Sequence, residues 1–274
     1  MEYINKIFYK KTNSKQRFFL MKEYKSILIT GATSGIGRAL AIYYADNDIN
    51  LALTGRNKNR LDDISKICEE KGAKVISKII DVKHQNEMEE WIKEIDGKIK
   101  LDLVIANAGI SSGTGDNISS ESIDQIKDIF DTNLYGVINT ISPIIPIMKN
   151  SECGQIAIIS SLASFRGFPS APAYCSSKAA VRIYGESLRA QLKTYNIGVS
   201  VICPGFIKSG ITNKNKFRMP LLMDADKAAK IISTGLSKNK GRISFPFPMF
   251  FLAWILSVFP DFISSYITSK SPSK

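Results

Sequence analysis

A phenol, an ammonium and a hydroxyl recur at telling intervals in this chain. Tyr174 and Lys178 stand four residues apart in Ala173-Tyr174-Cys175-Ser176-Ser177-Lys178, and Ser161 lies thirteen residues before the tyrosine. On a helix, positions four apart share one face, one turn from each other. A free phenol ionises at a pH of roughly 10, so near neutrality it gives up its proton reluctantly. An ammonium beside it favours the phenolate by charge. With a hydroxyl to hold a carbonyl oxygen, this pair can pass a proton to or from an alcohol. The carbon of such a carbonyl then needs a hydride, so the chain must also bind a carrier.

Residues Lys25 to Thr30 form a short apolar run suited to a buried strand. It leads into Gly31-Ala32-Thr33-Ser34-Gly35-Ile36-Gly37, and then into a helical stretch beginning Arg38-Ala39-Leu40. Strand, glycine turn and helix are the context in which a glycine motif cradles a pyrophosphate. The glycines permit a tight turn, a close backbone approach to phosphate, and close packing of helix on strand. The helix N-terminus then offers unpaired N–H groups to the anion. The spacing is G-x-x-x-G-x-G rather than the commoner G-x-G-x-x-G, and alone it fits an ordinary turn equally well. A second strand, Leu51-Ala52-Leu53-Thr54, ends in Gly55-Arg56-Asn57. An NAD site places a carboxylate here for the ribose hydroxyls. Gly55 occupies that place, and the Arg56 guanidinium suits a 2′-phosphate, which favours NADP(H) over NAD(H). The plainer alternative is that Arg56 caps a loop.

Taken together, these residues resemble the short-chain dehydrogenase/reductase family in its classical form, from about Lys25 to Phe245. Thr30 to Gly37 is similar to the family's cofactor motif, which assigns Gly31, Thr33, Ser34, Gly35, Ile36 and Gly37 to the dinucleotide. Asp81-Val82 matches the adenine-contacting pair, and Asn107-Ala108-Gly109 matches the segment ending the fourth strand. Asn133 matches the asparagine of the catalytic tetrad, with Ser161, Tyr174 and Lys178 as the other three. Pro204-Gly205 matches the turn after the sixth strand, with Phe206 and Ile207 expected on the nicotinamide face. Ser209 stands where the family often has Thr, and a hydroxyl is retained. Ser34 departs from the basic residue found in many NADP-preferring relatives.

The resemblance implies reduction of a carbonyl with Tyr174 as general acid, and its phenolate as base in the reverse direction. Lys178 would lower the Tyr174 pKa and hold the nicotinamide ribose. Ser161 would orient the substrate oxygen, with Ser160 as the competing serine. Asn133 would bend its helix and hold a water. The resemblance also implies a homodimer or homotetramer, paired through the helices bearing Asn133 and Tyr174. A different function class is a cofactor-binding sensor or scaffold without turnover, which would not need Tyr174, Lys178 and Ser161 together.

Strands expected at Lys25–Thr30, Asn50–Thr54, Lys74–Ile80, Leu101–Ala106, Gly154–Ser160, Gly198–Cys203 and Arg242–Phe245 alternate with helices. The helices are expected near Ile36–Asn47, Arg60–Lys71, Glu87–Ile95, Ser122–Lys149, Ala171–Tyr195 and Ala225–Leu236. Alternation of this kind predicts an α/β fold, a Rossmann-like doubly wound parallel sheet of about seven strands in a single domain. Ligands bind such sheets at the carboxyl ends of the strands. The catalytic domain is expected over 23–247, between a basic extension at 1–22 and a hydrophobic tail at 248–274. A chain of 274 residues with 44% hydrophobic content suffices for a large core and excludes disorder as the default.

Four dispersed cysteines and a single histidine, His84, lack metal-ligand spacing, so neither a zinc site nor a Ser-His-Asp triad is expected. The thiols read as reduced, in a cytoplasmic setting. The net charge of +12 comes from dispersed lysines without a nucleic-acid motif. That pattern suits a solvated surface attracted to anionic lipid or to a phosphorylated cofactor, with no nucleic-acid partner.

Specificity is expected in the polar loop Ser111 to Asn117 and in a lid from Gly210 to Met223 that mixes basic and apolar residues, which fits a lipophilic or anionic carbonyl compound. The first twenty residues carry Lys6, Lys10, Lys11, Lys15 and Arg17 among aromatics, a candidate targeting or membrane-contact segment. The plainer reading, which is preferred, is that Met21 is the natural start, because Met-Lys-Glu-Tyr-Lys then leads straight into the strand. Near the other end, Met249 to Phe259 is uninterruptedly apolar and about half the ~20 residues needed to cross a bilayer, and Pro260-Asp261 stops any extension. Two readings follow: burial in the protein or an oligomer, which is preferred, or peripheral membrane contact through 249–268.

Overall fold

A computed structural model describes residues 23–114, 120–212 and 218–270. The expectations for the basic extension, for residues 115–117 of the polar loop, for Lys214, Lys216 and Phe217 of the lid, and for the last four residues lie outside the described residues.

Seven strands form one parallel sheet: β1 (Ser26–Thr30), β2 (Asn50–Gly55), β3 (Lys74–Ile79), β4 (Leu103–Ala106), β5 (Gly154–Ile159), β6 (Ile197–Pro204) and β7 (Arg242–Phe245). Their order is β3-β2-β1-β4-β5-β6-β7. Strands β1, β4, β5 and β6 are buried along their whole length. A sheet covered on both faces needs apolar side chains on both, which is why these segments read as continuous apolar runs rather than as alternation. The edge strand β3 is largely exposed and carries Lys74 and Lys78, charges that discourage edge-to-edge pairing.

Helices α1 (Gly35–Tyr44), α2 (Lys58–Glu70), α3 (Gln85–Ile99), α4 (Ile123–Phe130), α5 (Gly136–Ile141), α6 (Ile144–Ser151), α7 (Pro172–Leu192) and α8 (Ala225–Ser237) cover the sheet. One core packs Leu40, Leu61, Ile64, Ile232 and Leu236 against it, and the other packs Met88, Trp91, Ile92, Val181 and Leu188. The chain winds outward in both directions from the β1–β4 pair, which puts the switch in strand order there and opens a crevice at its carboxyl edge.

The single helix expected over Ser122–Lys149 is instead three helices. Residues Asp131–Tyr135 form a π-helical turn between α4 and α5. Pro143, which lacks an N–H, separates α5 from α6. Beyond β7 the apolar run folds as α9 (Phe247–Val258), followed by α10 (Asp261–Ser269). Its expected burial holds on one side only: Met249, Phe250 and Ala253 pack over Leu162, Val201 and Cys203, but Leu256 is the one buried residue of α9. Most of the remaining large apolar side chains face outward because the sheet ends at β7 and offers them nothing to cover.

Candidate active site

A cavity of about 470 Å³ opens along the carboxyl edge of the sheet, lined by the glycine turn and by the residues that follow β2, β4, β5 and β6. The turn is shaped by what its glycines lack. Gly31 has φ +66°, and a Cβ there would lie 2.8 Å from the Ala108 Cα. A Cβ on Gly37 would run into the Asn107 side chain and the Gly31 carbonyl. Asn107 braces this turn from the next strand. Its Nδ2 donates to the carbonyls of Thr30 at 2.9 Å and Gly31 at 3.1 Å. Thr30 Oγ1 accepts from the backbone N–H groups of Asn107 and Ala108 at 3.1 and 3.2 Å. Helix α1 starts at once, and its N-cap Ser34 makes no side-chain cap hydrogen bond.

After β2 the cavity is lined by Gly55, Arg56, Asn57 and Arg60. The cap of α2 belongs to Asn57, whose Oδ1 accepts from the Arg60 N–H at 3.0 Å, so Arg56 is not a loop cap. Its guanidinium is more than half exposed and lies 3.6 Å from Asp81 Oδ2, a weak tie for a partly solvated pair.

After β5 the chemistry-bearing groups converge. Ser161 caps the short turn Leu162–Ser164 by accepting from the Ala163 N–H at 3.1 Å. Burial pushes the Tyr174 hydroxyl above the usual phenol range, and a hydrogen bond with Ser161 pulls it back. Sequence reasoning gave that lowering to Lys178. In the structure the Lys178 ammonium is 6.0 Å from the centre of the tyrosine ring and donates to the Ile159 carbonyl at 3.0 Å, so Ser161 is the nearer influence. Burial lowers the pKa of Lys178 itself to about 8. Ser160 is excluded as the substrate-orienting hydroxyl, because its Oγ donates to the Lys178 carbonyl at 2.8 Å and is committed to the α7 backbone.

Asn133 is fully buried inside the π turn and does not line the cavity. Its Oδ1 accepts from the Ile110 N–H at 2.8 Å, and its Nδ2 donates to the Ile110 carbonyl at 2.9 Å and to Ser177 Oγ at 3.0 Å. A Cβ on Gly109 would stand 3.1 Å from both Asn133 Oδ1 and Lys178 Nζ. The glycine therefore leaves the space in which the two approach each other.

The short chain dehydrogenase family model matches residues 25–219. The chain belongs to the short-chain dehydrogenase/reductase family. This short-chain dehydrogenase is 34% identical over 239 residues to an uncharacterized oxidoreductase of Myxococcus xanthus, covering 87% of this chain and 94% of that protein. It is 28% identical over 249 residues to 17-beta-hydroxysteroid dehydrogenase 13 of Rattus norvegicus, covering 88% and 82%. Among solved structures, a short-chain dehydrogenase/reductase from Burkholderia phymatum in complex with NAD superposes with a TM-score of 0.77 at 22% identity, over 93% of this chain and 98% of that one. A short-chain dehydrogenase from Sphingobium yanoikuyae in complex with NADPH gives 0.75 at 22% identity, over 90% and 96%. At that identity the structures speak for the fold.

In this short-chain dehydrogenase Thr33, Ser34, Gly35, Ile36, Arg56, Asp81, Val82, Asn107, Ala108 and Gly109 all line the cavity, as do Ser161, Tyr174, Lys178, Pro204, Gly205, Ile207 and Ser209. Gly31 does so too, whereas Gly37 lies behind the turn it permits. Sequence reasoning missed Arg60, Ile110 and Thr132, which also line it, as do Ile211 and Thr212 from the expected lid. Arg60 was legible as the third residue after a capping Asn57. The role of Thr212 was not: its Oγ1 donates to the Ile207 carbonyl at 2.8 Å and accepts from the Ser209 N–H at 2.9 Å, which folds the segment after β6 over the glycine turn. The glycine turn, the uncapped start of α1 and the cavity along the strand ends fit a nicotinamide dinucleotide.

Proposed function

We propose that this short-chain dehydrogenase interconverts a carbonyl and an alcohol with NADP(H), Tyr174 donating the proton in reduction and accepting it in oxidation. The reading rests on the convergence of Tyr174, Ser161 and Lys178 in the same cavity that holds Arg56 and Arg60. Strands β2 and β5 are separated by β1 and β4, so the two groups stand about 14 Å apart along the sheet, three strand spacings. That span suits an extended dinucleotide with its adenosine end at the arginines and its nicotinamide end at the tyrosine. A bound nicotinamide supplies the hydride.

Tyr174 Oη passes its proton to the substrate oxygen, and Ser161 Oγ holds that oxygen in line. Lys178, tied to the Ile159 carbonyl, places positive charge beside the phenol and within reach of a ribose hydroxyl. Arg56 and Arg60 supply charge for a 2′-phosphate, with Gly55 where an NAD site would carry a carboxylate. Apolar Leu162 and Met249 next to Gly205, with Phe250 packed on the same cluster, support a lipophilic substrate, and the hydroxysteroid dehydrogenase names among the relatives point the same way.

The test is NADPH oxidation against ketones, aldehydes and 3-oxoacyl thioesters, for the parent and for Tyr174→Phe. Loss of the proton donor should lower turnover by about 10²- to 10⁴-fold, with NADPH affinity within a few-fold of the parent's. A variant that turns over at the parental rate removes Tyr174 from the reaction.

A further inference from the structure

Helix α10 is inside out for a helix bathed in water. Its buried residues are Ser264 (0% exposed) and Thr268 (6%), whereas Phe262 (75%) and Tyr266 (64%) face outward. A surface helix in water buries the opposite set. The inward hydroxyls make bonds to neighbouring backbone: Ser264 Oγ donates to the Pro260 carbonyl at 3.1 Å and Thr268 Oγ1 to the Ser265 carbonyl at 3.3 Å. Such local bonds do not explain why the polar side is the one that is covered. Helix α9 extends the pattern: Phe247, Phe251, Trp254 and Val258 fall on one exposed stripe, and the rings of Phe247, Phe251 and Trp254 stack in series at 6.2 and 6.3 Å. An apolar surface this continuous calls for an apolar partner.

Length and charge choose the partner. Twelve residues of α9 reach about 18 Å, short of the ~30 Å hydrocarbon layer, and among the described residues no helix is long and apolar enough to cross a membrane. The helix can lie along a bilayer but not through it. Between Phe247 and Lys270 the charged residues are Asp261 and Lys270. Asp261 is neutralised by Arg166 at 2.6 Å. Lys270 remains, its ammonium bonded to Tyr266 Oη at 2.7 Å and lying 4.3 Å from the centre of that ring. An ammonium beside an aromatic ring at the edge of an apolar face is the arrangement favoured at a lipid headgroup boundary. Two copies meeting here would bring together chains of net charge +12 each, whereas anionic headgroups attract that charge.

We infer that the outer face of α9 and α10 docks this protein peripherally on an anionic lipid surface, both helices lying in the interfacial plane. The start of α9 adjoins the active site: Met249 Sδ would be 3.2 Å from a Cβ on Gly205. Docking therefore brings the Pro204-Gly205 wall of the cavity close to the lipid.

The two tryptophans make the test specific. Trp91 is 1% exposed in the core and Trp254 is 44% exposed on this face, so a change in emission on lipid binding reports Trp254. The full chain is mixed with phosphatidylcholine vesicles, with and without phosphatidylserine, and followed by sedimentation and tryptophan emission. Expected are co-sedimentation with the serine-containing vesicles, weakened by salt, together with a blue shift absent in Trp254→Phe. A double substitution, Phe251→Glu with Phe262→Glu, should lower the partition coefficient by about tenfold or more while leaving the circular dichroism spectrum and dinucleotide binding unchanged. Absence of co-sedimentation overturns the inference. So does co-sedimentation without a blue shift, which assigns the contact to another segment, and a blue shift that grows with protein concentration without lipid, which assigns the face to a second copy. Because the readouts do not involve turnover, they stand apart from the proposed reaction.

Discussion

Two ionisable groups four residues apart, a buried Lys178 and a half-buried Tyr174, have opposite pKa displacements, and loss of solvent causes both. The Tyr174 phenol is pushed up and the Lys178 ammonium down, to about 8, because a poorly solvated site disfavours whichever form is charged. For Lys178 the consequence for stability is definite. Between about pH 8 and the usual lysine value of roughly 10.4 the unfolded chain binds a proton that the folded chain does not, so stability rises with pH through that window. Below pH 8 the folded state bears the full cost of a buried ammonium. Burial raises the Cys68 and Cys203 thiols and so opposes this rise above about pH 8.5. The Lys178 contribution is therefore read as a difference. In urea denaturation without ligand, the stability of the parent relative to Lys178→Met should increase from pH 8 to pH 10 by at most about 1.4 kcal/mol per pH unit. An unchanged slope in the variant would assign the effect to another group.

On the proposed reading, cofactor choice also falls to single residues. Arg56→Asp removes the guanidinium proposed for a 2′-phosphate and sets a carboxylate one residue past Gly55 that would repel it, so KM for NADPH should rise at least tenfold while KM for NADH stays level or falls. Equal changes for both dinucleotides would remove Arg56 from the 2′-phosphate. At this scale the spacing of Tyr174 and Lys178 was legible, because a helix repeats every turn. The rank of Ser161 over Ser160 by contact was not, because it depends on a hydrogen bond from Ser160 to a carbonyl eighteen residues away.

Elements show how a turn and a helix are made to face each other. The glycine turn, the Asn107 brace and the first turn of α1 share so little space that Gly37 has no room for a methyl group. Gly37→Ala should destabilise the fold by about 1–3 kcal/mol and weaken dinucleotide binding. Gly97, within α3, is the control, because a methyl group added there would meet nothing within 4 Å. Gly97→Ala should stabilise by about 0.5–1 kcal/mol. Thermal unfolding and dinucleotide titration of the two variants check the contrast, and a neutral Gly37→Ala would show that the brace yields. Strand and helix positions were largely legible from apolar runs and periodicity. A bend at Asn133 was implied by the family resemblance, but its π form was not legible, because the side chain that occupies it is satisfied by Ile110 and Ser177, on other parts of the chain.

Across the whole molecule the sheet has two covered faces and one working edge. The proposed hydride and proton chemistry lies along the carboxyl ends of β1, β2, β4, β5 and β6, which the strand order brings side by side, with Tyr174 and Lys178 carried to them by α7. The same edge continues past β7 into the outward-facing aromatics of α9 and α10. Sequence alone determined the parallel α/β architecture, the glycine turn and the Tyr174–Lys178 pair, because apolar runs, turn residues and helical spacing are local properties of a chain. Tertiary structure decided that Ser160 is committed to α7, that Thr212 ties down the segment after β6, and that Ser264 rather than Phe262 faces inward. Each of those depends on what the fold places opposite a residue, and a residue's neighbours in space are not written in its neighbours along the chain.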